Sequence, residues 1–286
     1  MSLFENNRPE PFWHELVVHD LNALPKLTGL NVGHELSTWR YDSFVDYIFD
    51  WLPEFALKYS DLTKINSGTA VSFIRRAART VYNTDKYRRR GEFGELFLHA
   101  VIRELFNSEP IISKLYYKSA VNDTVKGFDA VHVVDVGGEL ELWLGEVKFY
   151  KDIASAITDV AVELHNHVDR DYLREEFSLV TSKIDDNWEY AEQIKRLLSE
   201  RTSLDEVFKR LCIPVLLTYE SPVVNNYANI TNEFEQKLLD EISSHHAKFK
   251  NKVSKLNLNL HLFLMPLEDK QKLLSRMHKK LEGLQR

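Results

Sequence analysis

The stretch GFDAVHVVDVGGELELWLGEVK, residues 127–148, contains the pattern that decides the fold of this chain. Gly137 and Gly138 separate two runs of β-branched and apolar residues, and such a glycine pair is typical of the tight loop of a β-hairpin. If these glycines form the loop, counting outward along both strands pairs Asp129 with Glu146. The sequence therefore predicts two carboxylates side by side at the open end of a hairpin.

The hairpin face that carries these acids is otherwise apolar, with Val131 predicted opposite Leu144. Like charges in opposed positions destabilise a hairpin, and burial raises the pKa of one acid unless a cation lies between them. Hard divalent ions prefer oxygen ligands of this kind, so Mg²⁺ is the expected ion and Mn²⁺ the alternative. Lys148 points to the same side as Glu146 because strand side chains alternate. Its ammonium is therefore placed to orient or help deprotonate a water, or to stabilise charge on a phosphate.

A different interpretation of the same residues is a charge cluster at a strand end, in which Lys148 and Lys126 neutralise the two acids. The residues alone leave both interpretations open. The stretch before the hairpin, RRRGEFGELFLHAVIREL, predicts a helix over Glu92–Phe106 that is apolar around most of its circumference and therefore buried. Glu92, Glu95 and His99 lie on its narrow polar stripe. Glu95 is the candidate to complete a metal shell, whereas Glu92 suits the helix dipole in the first turn.

Helix and strand patterns alternate through the rest of the chain, and they predict an α/β domain with a mixed sheet flanked by helices. Further strands are predicted at residues 114–120, 176–182, 212–219 and 256–265. Further helices are predicted at residues 152–168, 188–200, 204–210, 231–249 and from 268 onward. Residues 1–85 are predicted to form an N-terminal accessory region and residues 86–286 a catalytic domain. The dense aromatic residues of the first region are interpreted as core, with a partner-binding surface as the alternative.

The chain of 286 residues has 37 basic and 43 acidic side chains, a net charge of −6. This balance is not the strongly basic footprint of a protein held on DNA by phosphate neutralisation alone. Either nucleic acid is not the partner, or binding depends on local basic patches, metal ions or a second subunit. Local basic clusters do occur, and ordinary solvated faces are the alternative interpretation of them. The clustered residues are Lys86, Arg88, Arg89 and Arg90, with Arg75, Arg76 and Arg79 upstream.

Several function classes lack support in the sequence. No window approaches the 18 or so apolar residues of a membrane span, and the N-terminus predicts no secretory signal. The single cysteine, Cys212, excludes an internal disulfide and favours a reducing cytoplasm. The motifs of zinc hydrolases, serine hydrolases, dinucleotide-binding proteins and P-loop ATPases do not occur, so this chain is not expected to bind a nucleotide. His165 and His167 are two residues apart on a predicted helix, so they are not expected to share a metal ion.

A helix with a glutamate, then a strand with an aspartate, then a strand with ExK resembles the PD-(D/E)xK nuclease superfamily. More narrowly, RRRGEFGELFLHAVI, KGFDAVHVV and LWLGEVKFYKD resemble the HamA family, the nuclease subunit of Hachiman anti-phage defence. The clear resemblance covers residues 88–167. It implies a restriction-endonuclease-like fold, with Asp129 and Glu146 as metal ligands and the Val147 carbonyl assisting. It also implies that Lys148 is the catalytic lysine and Glu95 the acid on the helix.

The same resemblance implies that DNA is the substrate and that a helicase subunit, HamB, restrains the nuclease until foreign DNA is sensed. The sequence departs from many members of the superfamily because Gly127 and Phe128, rather than a proline, precede Asp129. It also has no clear glutamine motif on the following helix, so the positioning of DNA stays open. Two alternatives remain: a non-catalytic module that binds a helicase or DNA, and a sequence-specific restriction endonuclease.

Overall fold

The computed structural model describes residues 8–13, 16–81, 91–113 and 127–286. The strands in this part of the chain are β1 (Val18–Asp20), β2 (Lys26–Gly29), β3 (His34–Glu35), β4 (Thr38–Trp39), β5 (Glu109–Pro110), β6 (Ala130–Val136), β7 (Glu139–Phe149), β8 (Leu211–Glu220) and β9 (Leu260–Leu267). The helices are α1 (Tyr41–Asp50), α2 (Leu52–Ala56), α3 (Tyr59–Leu62), α4 (Ala70–Val81), α5 (Glu92–Phe106), α6 (Ile153–His167), α7 (Arg170–Thr181), α8 (Ala191–Leu198), α9 (Leu204–Phe208), α10 (Pro222–Asn226), α11 (Asn232–Val253) and α12 (Lys270–Gln285).

Seven of these strands form one sheet in the order β1-β2-β9-β8-β7-β6-β5, and β3 pairs separately with β4. The central strands β2, β9, β8 and β7 are parallel, whereas β1, β6 and β5 join antiparallel at the two sides. Every residue of β9 is buried, as expected for a parallel strand covered on both faces by helices. The predicted fold class, a mixed sheet flanked by helices, is confirmed. None of the helices in the described ranges is long and apolar enough to cross a membrane.

The hairpin of β6 and β7 has the predicted register, with Val131 opposite Leu144. Gly137 and Gly138 form its loop with φ angles of +65° and +92°, a left-handed conformation that glycine adopts without steric cost. Asp129 lies one residue before the start of β6, and its N–H donates to the Gly145 carbonyl at 2.7 Å. The hairpin therefore brings Asp129 beside the end of β7 that carries Glu146 and Lys148.

Two helices cover the opposite faces of this hairpin. Helix α5 has the predicted bounds and lies on the face of Val147, so closely that a Cβ at Gly94 would lie 2.8 Å from Val147 Cγ1. Helix α6 lies on the other face, where it contacts Glu146 and Lys148. Since side chains alternate along β7, the two helices meet different residues of the same strand.

One predicted strand is wrong, and one lies outside the described residues. Residues 176–182 were expected to be extended, but most of them belong to α7. The Asp169 side chain caps this helix, and the buried Leu173, Phe177 and Val180 recur at helical spacings of four and three. The prediction was wrong because apolar and polar residues alternate at the end of this helix, as they do in a strand. The predicted strand at residues 114–120 falls in the range that the structure does not describe.

The region before residue 82 is joined to the main sheet, because β2 pairs in parallel with β9. The predicted domain boundary at residues 85 and 86 lies outside the described ranges and stays a prediction. The interpretation of the dense aromatic residues as core is confirmed for the seven that lie between residues 39 and 55, since all seven are buried. They are Trp39, Tyr41, Phe44, Tyr47, Phe49, Trp51 and Phe55.

Candidate active site

Three predicted site residues, Asp129, Glu146 and Lys148, lie together at the open end of the hairpin. Asp129 accepts a hydrogen bond at Oδ2 from the Val147 N–H at 2.9 Å, which turns its carboxylate toward β7. Glu146 and Lys148 are both buried, with 2% and 8% of their surfaces exposed. The charges of Asp129 and Lys148 both act on Glu146. The structure therefore brings Asp129 together with Glu146 and Lys148, which follow it by 17 and 19 residues in the chain.

The surroundings of this group shift the pKa values of Glu146 and Lys148. The pKa of Glu146 is raised to about 7: burial raises it most and Asp129 adds to this rise, while the contact with His167 and the charge of Lys148 lower it. Burial lowers the pKa of Lys148, but Glu163, Glu146 and Asp129 together raise it above its usual value. Lys148 is therefore a charged donor near neutral pH, and Glu146 is a carboxylate whose ionisation a nearby cation would favour.

Three polar pairs connect β7 and the residue that follows it to α6 along one line. They are Glu146–His167, Lys148–Glu163 and Tyr150–Asp159. Two strand residues advance about 6.7 Å and four helix residues about 6 Å. A step of two residues along the strand is therefore nearly as long as a step of four residues along the helix. Because β7 and α6 run antiparallel, these steps keep successive pairs in contact. Two of the pairs fall on predicted site residues.

The structure places His167 in the site, although the histidines of α6 were discounted from the sequence. His167 Nδ1 lies 2.8 Å from Glu146 Oε1. His165, by contrast, contacts the Ala161 carbonyl of its own helix at 2.6 Å, so the two histidines do diverge as predicted. The signal in the sequence was the spacing of four between Glu163 and His167, which places both on one helix face after the ExK strand.

Glu95 and Glu92 lie in the first turn of α5 and are both buried. This helix covers the face of β7 that carries Val147, whereas Glu146 and Lys148 point to the opposite face. Glu95 therefore approaches the hairpin from the other side of the sheet. Its role as a metal ligand, and that of the Val147 carbonyl, stay predictions.

On this second face a buried polar chain connects the sheet with the N-terminal region. His132 of β6 contacts Ser108 Oγ at 3.0 Å and His99 of α5 at 3.2 Å. His99 Nε2 lies 3.1 Å from Glu54 of α2. Arg103 donates to both carboxylate oxygens of Glu54. Burial raises the pKa of Glu54, but His99 and Arg103 outweigh it and lower the pKa below its usual value.

The donor set at the hairpin end fits a hard divalent cation. Within the described ranges, no three histidine, cysteine, aspartate or glutamate side chains are grouped so as to hold a metal ion. Mg²⁺, however, is commonly held by one or two carboxylates together with waters and substrate phosphates. Asp129 and Glu146 supply two carboxylates, and the raised pKa of Glu146 marks negative charge that a cation would compensate.

The predicted basic patch at Lys86 and Arg88–Arg90 lies outside the described residues. Upstream on α4, Arg76 pairs with Asp61, and Arg79 donates to the Gln285 carbonyl at 3.1 Å. These contacts are intramolecular, so the contribution of the patch to DNA binding stays a prediction.

Comparison with known proteins assigns the chain to a family. The family model described as HamA matches residues 10–281. Anti-bacteriophage protein A of Escherichia coli (strain K12) is 26% identical over 259 residues, which cover 85% of this chain and 46% of that protein. The chain thus spans about half the length of this curated relative. No solved structure matches.

Proposed function

The chain belongs to the HamA family, and we propose that it is a divalent-metal-dependent DNA nuclease that acts in defence against bacteriophages. The observation that carries this proposal is the grouping of Asp129, Glu146 and Lys148 at the open end of the hairpin. The reaction is hydrolysis of backbone phosphodiesters, with Mg²⁺ as the expected ion and Mn²⁺ as the alternative. The resemblance found in residues 88–167 is part of a family match that covers residues 10–281.

In this mechanism Asp129 and Glu146 hold the cation, and Lys148 acts on the reacting phosphate or water. The cation, when bound, supplies Lewis-acid stabilisation of the charge that develops on phosphate oxygens. Because the surrounding acids raise the pKa of Lys148, its ammonium serves as a hydrogen-bond donor near neutral pH. It orients the attacking water or stabilises negative charge in the transition state. The Val147 N–H keeps the Asp129 carboxylate turned toward β7.

We further propose that a helicase subunit, HamB, delivers DNA to this chain. The net charge of −6 gives the chain little affinity of its own for a polyanion. The sequence has no phosphate-binding loop for ATP, so an energy-consuming step requires another subunit. A nuclease that depends on a partner for access to DNA is consistent with both properties.

The test is cleavage of plasmid and linear DNA by the full chain with Mg²⁺, Mn²⁺ or EDTA, with and without the helicase subunit. Lys148→Ala should fold normally and lose about 100-fold or more of the rate, as when one preorganised donor to a transition state is removed. Lys151→Ala is the matched control. The Lys151 side chain is 60% exposed, and its ion pair with Glu220 is long, at 3.5 Å. Undiminished cleavage by Lys148→Ala would contradict the assignment.

Metal titrations test the ligands separately. Asp129→Asn and Glu146→Gln should abolish binding of Mn²⁺, since each removes one of two charged oxygen ligands. The alternative function is a non-catalytic module that binds the helicase or DNA. It is favoured by the lack of a three-side-chain metal group within the described ranges. Wild-type protein that binds no metal and cleaves no DNA even with its helicase would establish that alternative.

A further inference from the structure

The contact between His167 and Glu146 is the most enclosed polar pair that α6 makes with β7. Their side chains are 11% and 3% exposed, and Nδ1 lies 2.8 Å from Oε1. The two neighbouring pairs differ, because Glu163 is 41% exposed and the pair of Tyr150 and Asp159 is exposed. Water therefore competes least with the contact at Glu146.

The imidazole of His167 is itself held in place by two aromatic rings. It stacks on Tyr172 with ring centroids 4.6 Å apart and planes 7° from parallel. Phe128 meets it edge-on at 4.8 Å, and Phe128 directly precedes Asp129 in the chain. Aromatic stacking and edge contacts of this kind restrict the rotation of a ring. The ring is thus kept where Nδ1 lies 2.8 Å from Glu146 Oε1.

We propose that His167 is a positioning residue of this site, which donates from Nδ1 to one oxygen of Glu146 and holds that carboxylate beside Asp129. The inference rests on the proposed metal-dependent function and deepens it. A metal-binding carboxylate that also accepts a hydrogen bond from a neighbouring side chain keeps one orientation. It therefore loses less conformational entropy when the cation binds. His167 does not contact the reacting groups in this role; it acts through Glu146.

Two substitutions separate the hydrogen bond from the packing of the ring. His167→Phe keeps an aromatic ring between Tyr172 and Phe128 but has no donor. His167→Asn loses the ring, while its amide nitrogen occupies nearly the place of Nδ1 and still donates. If packing alone matters, the first variant behaves as wild type and the second does not. If the hydrogen bond matters, the order is reversed.

The experiment is titration of the full chain with Mn²⁺, followed by electron paramagnetic resonance, with the melting temperature of each variant recorded. His167→Phe should bind Mn²⁺ about 10- to 100-fold more weakly at an unchanged melting temperature, the usual loss when a residue supporting a metal ligand is removed. His167→Asn should restore most of the affinity. His165→Phe, two residues away on the same helix, is the control and should bind as wild type.

Wild-type affinity in His167→Phe would overturn the positioning role and leave the nuclease proposal standing. Absence of Mn²⁺ binding by the wild-type chain would overturn the metal site itself, and the positioning role with it. Should His167→Phe fail to fold, His167→Ala takes its place. Weak binding by the alanine variant with recovery in the asparagine variant then supports the proposal, and equal binding by both contradicts it.

Discussion

The β6–β7 hairpin carries a polar cluster on each face, and the two clusters differ in how their charges are compensated. On the α5 face, the charge of Glu54 is matched by Arg103, His99 contacts the same carboxylate, and the chain of contacts continues through His132 to Ser108. On the α6 face, Asp129 adds negative charge beside the buried Glu146, which raises the pKa of Glu146. The first cluster is complete within the protein, whereas the second favours an additional cation.

This difference supports the proposal that one cluster is structural and the other functional. Buried polar groups that satisfy each other hold elements together, and here they connect α2 of the N-terminal region to α5 and β6. Buried groups whose ionisation is opposed by their surroundings are common at sites that bind or transform a ligand. The cluster with Glu146 and Lys148 therefore has the properties of a functional site, and the cluster with Glu54 has those of an internal support.

The largest expected effect is on stability, from breaking the α5 cluster. Arg103→Met leaves Glu54, whose side chain is only 12% exposed, without its bidentate partner, and we expect a loss of about 3–5 kcal/mol in the free energy of unfolding. Urea denaturation measures it. Arg276→Met is the matched control, because Arg276 and its partner Asp42 are 36% and 80% exposed and such surface pairs contribute at most about 1 kcal/mol. Equal losses in the two variants would show that the α5 cluster is not a structural support.

The α5 cluster also predicts a dependence of stability on pH. Burial lowers the pKa of His99 and lowers that of His132 still more clearly. As the pH falls below about 6.5, the unfolded chain takes up protons that the folded chain does not, so the free energy of unfolding decreases. Each histidine contributes a slope of up to about 1.4 kcal/mol per pH unit in this range.

His132→Gln removes one of these groups and should flatten the slope. Urea denaturation at pH 7 and at pH 5 measures it for the variant and the wild type. The comparison concerns the slope alone, because other buried histidines such as His261, whose pKa burial lowers to about 3, add the same background to both proteins. An unchanged slope would mean that His132 is not held neutral in the folded state.

The smallest expected effect is on catalysis, through the partner of the lysine on the α6 face. Glu163→Gln removes the charge that pairs with Lys148 but keeps the side-chain size. We expect about tenfold slower cleavage at an unchanged melting temperature, because the ammonium is less firmly placed. Asp159→Asn is the control, since Asp159 lies one turn earlier on the same helix face and pairs with Tyr150. A wild-type rate in Glu163→Gln would show that Lys148 is positioned without it.

Much of the hairpin and its site could be predicted because the signals are local. The glycine pair determines the loop, and alternation along β6 and β7 then determines the register that brings Asp129 beside Glu146 and Lys148. The bounds of α5 follow from its nearly continuous apolar surface. The strand predicted at residues 176–182 was wrong because a few alternating residues imitate a strand when the capping aspartate of a helix is overlooked.

By itself, the sequence determined the secondary structure around the site, the strand register and the pairing of two acids with a lysine, since these depend on periodicity over a few residues. The tertiary structure alone decided which residues from other elements contact the two polar clusters. His167 meets Glu146 only because α6 packs antiparallel to β7, and Glu54 reaches His99 only because the N-terminal region packs on α5. Contacts of this kind depend on how whole helices and strands pack together, and the local periodicity of the sequence does not specify that packing.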